Sequence, residues 1–473
     1  MRAHEAGALH AEAGHRGPSW LREPANANAL EPRLWARNVE RGPDGVLSVA
    51  GVPVDAIARE FGTPSYVMDE DDFRARARAF AQAFDAAFQP LCGGADVYYA
   101  GKAFLSIASV RWIAEEGLNL DVCTGGELAV ALRAGFPPGR IGMHGNNKSA
   151  AELTRALDVG VDRIVVDSAA EISRLAALAR ERGVRARVVL RITVGVEAHT
   201  HEYIATAHED QKFGFSLAGG AAADAAAAIL AEPSLELLGL HSHIGSQIFD
   251  TSAFEVAARR TLDLHAAIRE QHGVELPELD LGGGYGIAYT TKDDPMPPAE
   301  LAAGMAEIVR HECDAFGVPV PRISVEPGRA IAGPAGFTLY EAGTVKQVEL
   351  DAGAFRTYVA VDGGMSDNIR TALYDADYSC TLASRRSDTR PVLARVVGKH
   401  CESGDIVVKD EFLPADVRPG DLIAVPGTGA YCRSLATTYN HVPRPPVVAV
   451  ADGKARVIVR RETEDDLLRL DVG

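Results

Sequence analysis

Cysteine is scarce in this chain. Six residues (Cys92, Cys123, Cys313, Cys380, Cys401 and Cys432) are scattered over 473, with no CxxC pair. That argues against a disulfide framework and fits a reducing cytoplasm. Basic residues are in deficit, 48 against 65 acids, for a net charge of −17. A nucleic-acid or anionic-membrane partner is therefore not expected. No run of 18 or more apolar residues is present. The longest candidate, GGAAADAAAAIL, is interrupted by Asp224 and reads as an alanine-rich helix outside any membrane. The opening MRAHEAGALHAEAGHRGP lacks the basic-then-apolar order of a secretion signal. Residues 1–28 are expected to be a disordered tail. The chain as a whole is 47% apolar and 24% charged, a composition that packs, and its length suits two or three domains.

Between residues 95 and 330 one pattern recurs eight times: a short apolar run, then a stretch of helical periodicity. The runs are ADVYYAG (95–101), NLDVCT (119–124), IGMHG (141–145), RIVVDS (163–168), RVVLRI (187–192), LLGLHSHIG (237–245), ELDLGGGYG (278–286) and RISVEPGRA (322–330). Strands alternating with helices predict parallel βαβ units, and eight of them predict an α/β fold of the (β/α)8 TIM-barrel type. An open, doubly wound sheet is the alternative. After residue 338 the segments become short, β-branched and turn-bounded, which predicts an antiparallel β-barrel or sandwich. VLSVAGVPV (46–54) is expected to join that sheet and make the domain discontinuous. The expected organisation is a tail over 1–28, an N-terminal segment of the β domain over 29–65, the barrel over 66–338 and the β domain over 339–473.

A barrel places its chemistry at the C-terminal ends of its strands. Lys102, Cys123, His144, Asp167, Arg191, His243, Gly282 to Gly284 and Glu326 collect there. Lys102 is the odd one, a long cation between Gly101 and Ala103 at the end of VYYA. A buried, unpaired ammonium is costly. LGGGYG and EPGRA end strands seven and eight, where barrels often hold phosphate. A phosphate-bearing aldehyde that reacts with lysine is pyridoxal 5′-phosphate. That cofactor needs a protein group at its pyridine nitrogen, and Glu326 is suited to keep the nitrogen protonated. His243 could stack on the ring, and Ser246 could bond the phosphate.

Plainer readings exist for each residue. Lys102 could reach water from a strand end, Glu326 could pair with Arg329, and His243 could be a satisfied core histidine. A metal-dependent hydrolase is the chemical rival, because His241 and His243 form an HxH and His199, His201 and Glu202 form another cluster. That reading leaves the two glycine-rich loops unexplained, so no metal is expected.

From Phe61 to Tyr439 the chain resembles the diaminopimelate decarboxylases, within the alanine racemase-like, fold-type III group of pyridoxal-phosphate enzymes. The motifs are FGTPSYVMDE, YYAGKAF, DVCTGGEL, THEYIATAHEDQKFGF, HSHIGSQ, LDLGGGYGI, VEPGRA, DNIRTALYDA, GKHCESGDI and GAYCRSLATTYN. The resemblance implies a carboxy-lyase that converts meso-2,6-diaminopimelate to L-lysine and CO2, the last step of lysine biosynthesis. It implies that Lys102 is the Schiff-base lysine, forming the internal aldimine, and that His243 stacks on the ring. Ser246, Gly283, Gly284, Glu326, Gly328, Arg329 and Tyr431 would hold the cofactor. Arg329, Arg370, Tyr374, Glu402 and Tyr431 would hold substrate. Cys401 would be the proton donor, reaching with Glu402 into the partner's site and so requiring a homodimer.

Related decarboxylases of ornithine, arginine or carboxynorspermidine are the alternatives, along with a homologue that binds the cofactor without decarboxylating. A racemase of this fold would carry arginine, not glutamate, at the pyridine nitrogen. A binding protein would be expected to lack Lys102 or Cys401, and both are present.

Overall fold

The computed structural model describes residues 17–195, 212–349 and 355–473. They form two compact units. Among these residues one unit comprises 74–195, 212–286 and 295–330, the other 17–73, 287–294, 331–349 and 355–473.

The first unit is the closed barrel. Its strands are Ala95–Ala100, Asn119–Val122, Ile141–Met143, Arg163–Val166, Ala186–Thr193, Leu235–His241, Glu278–Asp280 and Arg322–Val325. Each pairs in parallel with the next, and the eighth returns to the first through Ile323↔Ala95, Ser324↔Asp96 and Val325↔Val97. All eight expected strands are present, and the open sheet is ruled out by that closure.

The strands are apolar on both faces because helices cover the outside and side chains fill the inside. Polar caps set where the helices begin. The side chains of Ser106, Thr124, Ser149 and Ser168 each accept from the backbone N–H three residues on. This satisfies donors that a helix start leaves open and places each helix directly after its strand.

One buried ion pair crosses the barrel interior. Arg163 and Asp280 are each about 1% exposed and bonded to each other. Arg163 also reaches Glu278 at 3.3 Å and Ser324 Oγ at 3.1 Å, and its guanidinium lies 3.9 Å from the centre of the Tyr98 ring.

The second unit is built on a mostly antiparallel sheet running through Ile406–Pro414, Pro391–Val397, Phe355–Val361, Gly336–Glu349, Ser65–Asp69, Val447–Ala451 and Lys454–Val459. Two pairings are parallel: Phe355–Val361 with Pro391–Val397, and Ser65–Asp69 with Val447–Ala451.

The N-terminal segment does not enter this sheet where expected. Leu47–Val49 and Val52–Pro53 form a separate three-stranded sheet with Val39–Arg41. The tight reversal at Ala50 and Gly51 folds VLSVAGVPV back on itself, so it cannot run as one strand. It is Ser65–Asp69 that enters the large sheet, between Gly336–Glu349 and Val447–Ala451. Leu47, Val49 and Val54 still join the core around Phe337, Leu339, Val448 and Val450. Residues 17–28 of the expected tail are described, and Asn28 exchanges hydrogen bonds with the Ser387 backbone at 2.7 and 2.9 Å. No helix among the described residues is long and apolar enough to cross a membrane.

Candidate active site

The barrel's strand ends enclose a cavity of about 340 Å³ lined by Lys102, Asp121, Cys123, His144, Arg191, His241, His243 and Glu326, among others. Lys102 follows the first strand in a turn, and its side chain is exposed. Its ammonium therefore does not carry the burial cost that the sequence suggested, and its amine is accessible to a ligand.

Glu326 follows the eighth strand and is only 9% exposed. Its Oε1 lies 3.2 Å from His144 Nε2 and 3.1 Å from His241 Nε2. His144 is also 3.2 Å from Asp121 Oδ1. Burial alone would push the Glu326 carboxyl up, but the two histidines outweigh it and hold it well below the usual carboxylate range. Burial likewise opposes charge on His144, yet Glu326 and Asp121 raise it to about 9. Glu326 is thus ionised and His144 protonated at neutral pH. Both imidazole contacts fall on Oε1. Among the described residues no contact falls on Oε2, so that acceptor remains for a donor inside the cavity. The Glu326–Arg329 pair weighed from the sequence is not what engages Glu326.

His243 is oriented by the glycine loop. Gly283 donates its backbone N–H to His243 Nδ1 at 3.2 Å. Gly282 donates to Asp280 Oδ1 at 2.8 Å, which links the loop to the Arg163–Asp280 pair. A β-carbon on Gly283 would lie 2.3 Å from the Glu326 carbonyl oxygen. One on Gly284, which has φ +107°, would lie 2.5 Å from the Gly245 oxygen. Backbones this close form a cradle that side chains would fill. At its edge, Arg329 Nη2 donates to Ser246 Oγ at 2.6 Å. That leaves the Ser246 hydroxyl hydrogen for another acceptor. Gly328 packs against Ala100 and Ala103, beside Lys102.

A lysine amine, a cavity lined by the His243 imidazole, an ionised carboxylate with a spare oxygen and a glycine cradle with a serine fit pyridoxal phosphate. The HxH of the rival metal-hydrolase reading does not converge. His241 turns to Glu326 while His243 bonds Gly283. The ligand atoms of His144, His241 and Glu326 do lie within 4.8 Å of one another. His199, His201 and Glu202 lie outside the described residues.

The remaining candidates belong to the β unit. Arg370 begins a short helix that ends at Tyr374, and its guanidinium lies 5.8 Å from the centre of the Tyr431 ring. Cys401 is exposed, and its backbone N–H bonds Asn440 Oδ1 at 3.1 Å. Buried Asp405 braces this turn by accepting from His400 N at 2.7 Å and from Met365 N at 2.6 Å. Glu402 lies on the same turn, its carboxylate capping Gly404 N at 3.4 Å.

Sequence reasoning noted His144 without a role and missed Asp121, Asp280 and Arg163. A polar residue inside an apolar barrel strand, as in NLDVC and LDLG, was the signal available.

The description "pyridoxal-dependent decarboxylase, pyridoxal binding domain" matches residues 70–333. The diaminopimelate decarboxylase of Mycobacterium tuberculosis is 59% identical over 447 residues, covering 94% of this chain and 98% of that protein. That of Bacillus subtilis is 46% identical over 428 residues, covering 90% and 95%. Among solved structures, the diaminopimelate decarboxylase of M. jannaschii in complex with L-lysine superposes with a TM-score of 0.85. It has 30% identity, and the match covers 93% of this chain and 98% of that one. The lysine/ornithine decarboxylase of Vibrio vulnificus, at 22% identity and a TM-score of 0.69, shares the fold.

Proposed function

The chain belongs to the diaminopimelate decarboxylase family of pyridoxal-dependent decarboxylases, and on that premise we propose how its residues convert meso-2,6-diaminopimelate to L-lysine and CO2. When bound, the cofactor supplies an electron sink for the bond that breaks as CO2 leaves.

Lys102 would hold the cofactor through its amine. His243, neutral and fixed by Gly283, packs against the ring face. Ser246, Gly283, Gly284, Gly328, Arg329 and Tyr431 bind the phosphate end. Glu326 holds a proton at the pyridine nitrogen through Oε2. The observation that carries this reading is the state of Glu326, an ionised, buried carboxylate neutralised by protonated His144 on one oxygen and open on the other. A carboxylate so held would keep a pyridine nitrogen beside it protonated, which would strengthen the electron sink.

The substrate carries an amino-acid group at each end. Arg329, Arg370, Tyr374, Tyr431 and Glu402 are the groups that hold its carboxylate and ammonium away from the reacting carbon. Arginine suits a carboxylate because its planar fork bonds two oxygens, and glutamate suits an ammonium. A site that demands both rejects ornithine and lysine as substrates, because they would leave one buried charge unpaired. Cys401 of the partner subunit then gives a proton to the carbon that has lost CO2. The exposure of Cys401 in a single chain, on a turn braced by Asp405, supports a shared-site homodimer. A cytoplasmic location fits the scattered cysteines.

The test is a CO2-release assay with pyridoxal phosphate and, in parallel, meso-diaminopimelate, L-ornithine, L-lysine and L-arginine. Release from meso-diaminopimelate alone, with L-lysine as product, is expected. Release from another amino acid would overturn the specificity assignment.

A further inference from the structure

Arg370 is 5% exposed, and its environment is aromatic. Its Nη1 donates to Tyr289 Oη at 2.6 Å and to Tyr378 Oη at 2.8 Å. The guanidinium carbon lies 4.8 Å from the centre of the Tyr289 ring, 5.9 Å from Tyr378 and 5.8 Å from Tyr431. Tyr289 and Tyr378 meet edge to face at 5.1 Å and 74°. Both phenol bonds fall on one nitrogen. Among the described residues, Nε and Nη2 of Arg370 have no hydrogen-bond partner. These two atoms form one straight edge of the fork, the edge that takes a carboxylate side-on with two parallel bonds.

The phenols are themselves held. Tyr378 Oη accepts from Arg370, so its own hydrogen is free to donate to Cys432 Sγ, 3.7 Å away. The Tyr289 backbone accepts from Ser379 N at 3.2 Å, one residue beyond Tyr378, and donates to Asp293 Oδ2 at 3.0 Å. Neither tyrosine belongs to the motifs that carry the family resemblance. A long arginine normally loses side-chain entropy when it binds. Here two phenols and three rings have already fixed it.

We propose that Tyr289 and Tyr378 are positioning residues for specificity. They clamp Nη1 of Arg370 so that its Nε–Nη2 edge is preset for the distal carboxylate of the substrate. This rests on the reading above that Arg370 holds that carboxylate. The clamp discriminates ligands by the distal carboxylate alone and leaves the rest of the site indifferent to it.

Two ligands isolate that group: L-lysine, and 1,5-diaminopentane, which is L-lysine without its carboxylate. Calorimetric titration of each into cofactor-loaded Tyr289→Phe, Tyr378→Phe and Arg370→Gln separates the claims. The phenylalanine variants keep the rings and remove only the oxygens. Each is expected to weaken L-lysine about tenfold, the factor that corresponds to ~1.4 kcal/mol, with 1,5-diaminopentane unchanged. If Arg370→Gln abolishes the preference for L-lysine while neither tyrosine variant moves it, the clamp is wrong and the arginine assignment stands. If Arg370→Gln leaves the preference intact, the arginine assignment itself fails. An equal loss of both ligands in the tyrosine variants marks a merely structural role and overturns the proposal.

Discussion

Gly283 donates its backbone N–H to His243 Nδ1, 3.2 Å away. A nitrogen that accepts cannot carry a proton, so the proton of the neutral ring sits on Nε2. Burial, and then the charge of Lys102, hold this imidazole well below its usual range. The ring is a fixed neutral plate rather than an acid or base. His243→Ala is expected to weaken cofactor binding about tenfold through lost ring contact. His243→Phe should recover part of that loss. Titration of apo-protein with pyridoxal phosphate, followed by fluorescence, measures both.

Asp280 serves two masters, Arg163 across the barrel and Gly282 in the cradle. Asp280→Asn retains an oxygen for Gly282 but turns an amide N–H towards a buried guanidinium. Removing one partner of a buried ion pair costs about 3–5 kcal/mol. A loss of that size in urea unfolding is expected, with a weaker cofactor complex. A variant as stable as the parent would show that Glu278 and Ser324 suffice for Arg163.

His144 makes the apo-protein sensitive to alkali. Its folded value is raised to about 9, against an ordinary imidazole value near 6.5. A group raised on folding stabilises fully below its unfolded value, and that contribution fades as pH climbs through the folded one. The stability supplied by His144 is therefore present below about pH 6.5 and lost between there and about pH 9. His144→Gln should be less stable than the parent at pH 6 and close to it above pH 9. Urea midpoints of the apo-proteins across that range provide the check.

Lys102→Ala should abolish the visible absorbance band of the cofactor-bound protein, and a variant that keeps the band would remove Lys102 from its role. Lys102→Ala and Cys401→Ala are each expected to be inactive. If sites are shared across a dimer, mixing the two with verified subunit exchange restores about a quarter of parental turnover, from hybrids with one intact site. No recovery would place Cys401 outside its partner's chemistry.

The barrel was legible because its strands are buried on both faces and read as unbroken apolar runs, each followed by a capped helix. Lys102, His243 and Glu326 stood out because strand ends are where polar side chains need a reason. The partners of Glu326 did not stand out. His144 and His241 belong to the third and sixth strands, and only closure of the barrel brings them to the eighth. The Arg163–Asp280 pair was hidden in the same way, by a contact between the fourth and seventh strands. In the β unit, short strands with similar composition gave no sign of their order. VLSVAGVPV looked the better partner for the large sheet, yet SYVMD took the place. A local pattern records which face of a segment is apolar, but not which distant edge it meets.

The strand Ser65–Asp69 is made early and finished late. Its neighbours are Gly336–Glu349 on one side and Val447–Ala451 on the other. A ribosome adds about 5–20 residues per second, so the strand's edges stay unpaired for tens of seconds while the whole barrel is synthesised between them. The β unit thus closes over its first-made strand only when the last part of the chain arrives. A chain stopped before Val447 would leave one edge of that strand open to another molecule, which makes premature termination a route to aggregation rather than to a smaller soluble protein.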